Sequence, residues 1–390
     1  MVKGNFLFFL FILLLFILSF FISCGQAGKQ EGKLDTTALV RDSLCNIKYA
    51  KGFKVRTLKN GIRLVDVADP QTEEDKMPVS YHFALIPKEV IGYDIEGIGH
   101  YTPVQVPVER TIVMTMLQLS NFTALDALDI VRGITGTKNL FNKDVLERVH
   151  DGRIKKIGME GNFDTELILS AQPEVIFISP FKRGGYDAIK ETGITLIPHL
   201  GYKEFHPLGQ AEWLKFVGLF LGKEQEADSL FAKIEERYNG LKEKWQSGSC
   251  PTVFSGEMHG GNWYAVGGKN ALAQLFRDAG ADYVIKDDNT GGVNIEFEQL
   301  YAQAADADYW RILNSYPGDF SYEALKASEP RNELFRAFRE RKVIYCNMRK
   351  TPYYELAPVQ PDVLLSDLIA IFHPELMPAD YVPTFYRLLQ

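Results

Sequence analysis

Residues 166–178 read ELILSAQPEVIFI. Phe163 to Ala171 has the pattern of a helix. Pro173 to Ile178 reads as a strand, and an acid stands at the reversal between them. The same order returns at residues 298–309, EQLYAQAADADY. Each copy is Glu, helix, a reversal with an acid, then strand, a faint internal repeat. Working outward, Thr111 to Met114, Ile130 to Ile134 and Ile194 to Pro198 are further short strands. Helical stretches at Leu117 to Leu128 and Tyr186 to Thr192 separate them. Later, strands at Pro251 to Phe254, Trp263 to Val266, Tyr309 to Leu313 and Val343 to Tyr345 alternate with helices at Asn270 to Ala279, Phe297 to Ala304, Glu333 to Arg339 and Pro361 to Phe372. Strands alternating with helices of this length predict βαβ units, hence an α/β chain with parallel sheets.

Residues 207–246 divide this alternation into two lobes. Pro207 suits a first helical turn and Gly222 a helix end. Beyond it, Ala227, Leu230, Phe231, Ile234, Tyr238, Leu241 and Trp245 keep a spacing of three to four. A helix from Lys223 to Gln246 would reach roughly 36 Å. Its single apolar stripe reads as a strut lying along something. The expected organisation is a signal segment 1–23, a polar tether 24–50, an N-terminal lobe 51–206 with a leading hairpin, connecting helices 207–246 and a C-terminal lobe 247–390. The hairpin reading rests on Asn60-Gly61 between apolar runs at 51–68.

The chain has 390 residues, 46% hydrophobic and 24% charged, with a net charge of −7. That is ordinary globular composition, and it offers no global field for nucleic acid. Residues 6–23 are almost unbroken apolar sequence after Lys3, and Ser23-Cys24 closes the run. Eighteen such residues could just span a bilayer. A small residue directly before Cys is instead what a bacterial lipobox looks like, with Cys24 as the lipidated mature N-terminus. The cysteines at 24, 45, 250 and 346 show no CxxC spacing, which argues against a disulfide scaffold or structural zinc. No G-x-S-x-G, H-E-x-x-H, Walker A or G-x-G-x-x-G motif occurs. The stretch Asp287 to Glu298 has the spacing of an EF-hand loop. Asn294 at its packing position, and a strand rather than a helix before it, favour a Gly-rich loop leading into a helix.

Taken in order, five segments resemble the substrate-binding lipoproteins of ABC importers that bind ferric siderophores, cobalamin or haem. They are Thr111 to Asp129, Gly161 to Ile178, Ala211 to Ala227, Ala265 to Tyr283 and Pro361 to Pro374. The resemblance runs from about residue 105 to 390 and leaves the hairpin region without a functional reading. It implies two parallel-sheet lobes on a helical strut, a cleft between them, and binding without catalysis, cofactor or resident metal. It also implies a metal-chelate ligand and a permease dimer as partner, with the Cys24 lipid in the bilayer and the protein facing the bacterial periplasm.

Ligands of open α/β sheets sit beyond the carboxyl ends of strands. The candidate wall is therefore Thr115, Met116 and Gln118; Ser179, Pro180, Phe181, Lys182 and Arg183; His199, Tyr202 and Lys203; His259, Asn262, Trp263 and Lys269; and Arg349, Tyr353 and Tyr354. Lys182, Arg183, Lys203 and Arg349 would offset an anionic ferric siderophore, and the aromatics would pack its faces. A corrinoid suits aromatic walls equally, and haem would take a Tyr or His ligand. A metal-cluster enzyme with similar lobes would need Cys ligands in the cleft, whereas Cys250 opens a strand and Cys346 ends one, neither paired with nearby ligands. In the resembling family one Glu per lobe meets Arg residues of the permease, which points to Glu166 and Glu298. The plain alternative is an acid favoured by the helix dipole.

Overall fold

The computed structural model describes residues 39–40 and 46–390, apart from 73–79, 91–98, 160, 181–185 and 246–249. Cys24 and the signal segment, Cys45, and the candidates Phe181, Lys182 and Arg183 lie outside the described residues.

The first strands are β1 (Leu39–Val40), β2 (Phe53–Leu58), β3 (Arg63–Ala68), β4 (Ser80–Pro87) and β5 (Thr102–Val106), forming one sheet in that order. The expected hairpin is its β2–β3 pair. Gly61 takes φ +83° at the turn, and Asn60 Oδ1 accepts the Ile62 N–H at 3.2 Å. A lone hairpin is marginal in water, and here β4 and β5 extend it. Strand alternation turns Phe53, Val65 and Val67 toward Trp213, Phe216 and Phe220, while Leu58, Leu64, Ala84 and Ile86 fill the opposite face. The sheet is thus part of the N-terminal core.

The N-terminal lobe follows with β6 (Thr111–Val113), β7 (Val131–Ile134), β8 (Lys155–Lys156), the ribbon β9 (Gly158–Met159) and β10 (Asn162–Phe163), then β11 (Val175–Ile178) and β12 (Thr195–Pro198). Helices α1 (Met116–Ala124), α2 (Lys143–His150), α3 (Thr165–Ser170) and α4 (Asp187–Lys190) lie between them. The sheet order is β12-β11-β6-β7-β8, all parallel. β11 is buried along its whole length, as expected where both faces of a parallel sheet are covered. The chain turns one way from β6 to β7 and the other way to β11, so the β6 and β11 carboxyl ends flank a switch point.

Two helices join the lobes, α5 (Pro207–Leu221) and α6 (Glu224–Lys242). α5 starts against the C-terminal core at Leu208 and Ala211 and ends in the N-terminal core at Leu219 and Phe220. Gly222, left-handed at φ +64°, closes it. α6 then runs back, from Ala227 in the N-terminal core to Phe231, Ile234 and Tyr238 in the other. The strut is therefore an antiparallel pair: α5 is buried on nearly all sides, and α6 packs along it and buries the stripe Ala227, Phe231, Ile234 and Tyr238. Buried carboxylates tie the leading segment to the strut and to the loop just before it. Glu212 accepts the backbone N–H groups of Lys48, Tyr49 and Ala50 at 2.7–2.9 Å, and Glu204 those of Lys51 and Gly52 at 2.8–2.9 Å.

The C-terminal lobe holds β13 (Thr252–Ser255), β14 (Glu257–His259), β15 (Asn262–Val266), β16 (Asp282–Tyr283), β17 (Gly292–Ile295), β18 (Tyr309–Asn314), β19 (Val343–Asn347) and β20 (Arg387–Leu388). Its helices are α7 (Ala271–Asp278), α8 (Phe297–Ala304), α9 (Tyr322–Ser328), α10 (Arg336–Arg339), α11 (Tyr353–Leu356) and α12 (Pro361–Phe372). The main sheet runs β16-β13-β18-β19-β20, parallel except β20, and β14-β15-β17 form a small antiparallel sheet. The two α/β lobes with parallel sheets are as the alternation predicts.

Candidate functional site

A cavity of about 630 Å³ lies between the lobes. Tyr202 and Lys203 of the N-terminal lobe line it, as do Tyr264, Arg311, Tyr353 and Tyr354 of the C-terminal lobe. Strand geometry explains the choice of side chains. In β15, Trp263 turns inward and is fully buried, its indole N–H donating to the Ser255 carbonyl at 2.9 Å. Tyr264, one residue on, faces the cavity and is 49% exposed. The sequence expectation of Trp263 as a wall is thus corrected by one step of a period-two strand.

Arg311 sits mid-strand in β18, between the core residues Trp310 and Ile312, and points the other way. It is 7% exposed. Its Nε donates to the Tyr386 hydroxyl at 3.0 Å, and its Nη2 to the same oxygen. Tyr386 donates in turn to the Tyr353 hydroxyl at 3.1 Å. Among the described residues no carboxylate forms an ion pair with Arg311. Glu257 is close enough to feel it, but burial pushes that carboxyl up, and it accepts from Asn314 Nδ2 at 3.0 Å. Asp367, fully buried, fixes the segment that delivers Tyr386. Its oxygens accept the Thr384, Phe385 and Tyr386 N–H groups and the Tyr381 hydroxyl at 2.6–3.1 Å. A buried guanidinium facing a cavity without a counter-ion is a ready anion anchor.

Several predicted wall residues have other work. Gln118 is fully buried: its carbonyl accepts the Met114 and Thr115 N–H groups, and its amide donates to Ser179 Oγ at 3.0 Å. Thr115 caps α1. The pair welds the switch point and does not line the cavity. His199 is buried against Trp213, and burial lowers its pKa to about 3. Met116 packs against the N-terminal core. The Pro180 carbonyl accepts the Tyr202 hydroxyl at 2.9 Å, and Pro180 is not among the residues lining the cavity. His259 and Asn262 are exposed at the β14–β15 turn, Lys269 pairs with Asp288 at 2.8 Å, and Arg349 is exposed beyond β19, all outside the cavity lining.

The EF-hand-like spacing resolves into a loop. Asp287 Oδ1 accepts the Gly268 and Asn289 N–H groups, Asn289 Oδ1 accepts that of Gly291, and β17 follows. Among the described residues no group of three or more His, Cys, Asp or Glu could hold a metal. Burial pushes the Cys346 thiol up to about 11, unsuited to a thiolate ligand. Glu166 is exposed in the first turn of α3, with Leu167, Leu169 and Met159 exposed nearby. Glu298 is exposed in the first turn of α8 but pairs with Arg331 at 3.1 Å.

The sequence reading missed Arg311, Tyr264 and Gln71. For Arg311 a signal existed, since a lone charge interrupts the apolar run Tyr309 to Leu313. Gln71 reaches the cavity from the leading sheet, which pattern alone gives no means of placing.

An uncharacterized lipoprotein of Methanocaldococcus jannaschii is 30% identical over 297 residues, 72% of this chain and 69% of its own length. A second lipoprotein of that archaeon is 23% identical over 386 residues, covering 96% and 97%. Among solved structures, a periplasmic haem-binding protein of Pseudomonas aeruginosa superposes with a TM-score of 0.58 at 18% identity, over 73% of this chain and 98% of that one. A periplasmic binding protein of Veillonella parvula gives 0.57 at 14%, over 79% and 98%. Residues 115–349 match the periplasmic binding protein family. With two lobes, a helical strut and a cleft between them, the chain belongs to that family, the substrate-binding proteins of ABC-type importers.

Proposed function

We propose that the cleft captures an anionic iron chelate of the ferric siderophore class and presents it to a membrane permease. The observation that carries this reading is Arg311, buried at the wall without a carboxylate partner and surrounded by tyrosines. A cavity of about 630 Å³ falls in the usual range for small-molecule sites, ~300–1,000 Å³. Haem is the second reading. Tyr264 and Tyr354 are about half exposed at the cavity, phenols can ligate haem iron, and three of the structural neighbours are described as haem-binding. Cys24 would carry the lipid that holds the protein at the membrane, consistent with relatives described as lipoproteins.

Titration calorimetry with a ferric tris-catecholate, hemin and cyanocobalamin separates the readings. The catecholate complex should bind, and Arg311→Gln should weaken it by a factor of ten or more, since truncating one side of a buried charged pair costs ~2–5 kcal/mol. Tight binding of cyanocobalamin alone, or an Arg311→Gln protein that binds the catecholate unchanged, would overturn the proposal. Glu166 and Glu298 are the proposed docking acids, the second presented together with its Arg331 partner. Charge pairs across an interface chiefly set orientation and on-rate. Glu166→Lys with Glu298→Lys should therefore abolish uptake in cells while leaving chelate affinity intact. Normal uptake would leave only the helix-dipole role.

A further inference from the structure

The leading sheet lies outside the stretch that matches the family, yet it touches the cleft. β3 ends at Ala68, and Asp69 opens the turn that follows. Asp69 Oδ1 accepts the Gln71 N–H at 2.9 Å, while its Oδ2 pairs with the Lys203 ammonium. Gln71 Nε2 donates to the Lys203 carbonyl at 2.8 Å. Both Gln71 and Lys203 line the cavity. Neither contact is accidental to a mobile tip. The Ala68 N–H is held by the Gly52 carbonyl at 2.9 Å. Gly52 in turn donates to Glu204, the residue after Lys203. Turn and cleft wall are thus stitched from two sides.

We infer that this turn sets the charge selectivity of the cleft. Two cations line the cavity among the described residues, Lys203 and Arg311. Asp69 neutralises the first; the second has no carboxylate partner. The wall therefore offers one uncompensated positive charge, on the C-terminal side. A chelate with one anionic locus toward Arg311 fits it better than one carrying three negative charges spread around the metal. In this role Asp69 is a specificity residue supplied by a sheet that lies beside the binding lobes, and Gln71 is the positioning residue that keeps Lys203 at the turn. The inference rests on the cleft being the chelate site proposed above.

The test compares two ferric complexes of similar size and different charge, a trianionic tris-catecholate and a neutral trihydroxamate, in wild type and Asp69→Asn. Freeing the Lys203 ammonium should shift the affinity ratio toward the trianion by about tenfold at low salt, and less at 0.5 M salt, as screening requires. Lys203→Met leaves the Asp69 carboxylate uncompensated, so it should move the ratio about as far the other way. That variant carries the test if Asp69→Asn does not fold. An unchanged ratio in both variants, with binding still dependent on Arg311, would overturn this inference alone. Binding that ignores Arg311 would overturn the site reading and this inference with it.

Discussion

Tyr386 accepts two N–H groups of Arg311 and gives its own proton to Tyr353, so its hydroxyl is fully used. Tyr386→Phe removes the acceptor and leaves buried guanidinium donors unmet, at a cost of ~1–3 kcal/mol. The expected result is a modest fall in melting temperature and roughly tenfold weaker binding of the anionic chelate. Unchanged affinity would show that Arg311 is positioned by something else. His199 makes a different kind of contribution. Burial holds its imidazole neutral, with a pKa of about 3 against an ordinary 6.5. Below pH 6.5 the unfolded chain takes up a proton that the folded chain refuses. Stability from this site is therefore complete above pH 6.5 and is lost progressively as pH falls toward 3. In urea unfolding at pH 7 and pH 4.5, His199→Gln should lose less stability between the two than wild type does. An equal loss would mean that other groups set the acid limit.

Helices α5 and α6 approach closely where Gly218 faces Ala227. A Cβ on Gly218 would stand 2.7 Å from the Ala227 Cβ and 3.1 Å from the Lys223 carbonyl oxygen. Backbone and a short side chain cannot swing away, so Gly218→Ala should cost ~1–3 kcal/mol as overpacking. Thermal melts would read this directly, and a variant as stable as wild type would mean that the helix pair adjusts. The same elements mark how far the sequence could be read. Parallel strands such as Val175 to Ile178 are legible because burial on both faces demands an unbroken apolar run. Pro207 and Gly222 marked the ends of α5 through backbone chemistry alone. What was not legible depends on non-local pairing. The β3–β4 and β4–β5 contacts that turn a hairpin into a sheet have no local signature. Neither does the choice of which β15 face meets the core, and that choice exchanged Trp263 for Tyr264. Gln118 carried the right address, at a strand's carboxyl end, and the wrong task. A long polar side chain at that place can reach a ligand or the neighbouring backbone, and its sequence context is the same in both cases.

Two connections decide how far the lobes can move as whole bodies. At the base, α5 and α6 each enter both cores, so bending there would pull apolar side chains out of one core or the other. Across the cleft, α1 packs against α11 and the turn Ala357–Val359. There Glu355, 7% exposed, accepts the Phe141 and Asn142 N–H groups of the opposite lobe at 2.6 and 2.9 Å. A carboxylate accepting two backbone N–H groups in a nearly dry contact resists separation, because opening leaves those donors unmet until water enters. The strut and this latch together predict small motion on ligand binding, and X-ray scattering curves with and without chelate should nearly superimpose. Glu355→Ala removes the latch and keeps the strut. It should speed amide exchange at Phe141 and Asn142 in the free protein, with the radius of gyration rising only slightly because the helix pair still holds the base. A large compaction of wild type on binding would contradict the rigid strut. Unchanged exchange at residues 141 and 142 in Glu355→Ala would instead place the resistance to opening in the apolar contact between α1 and α11.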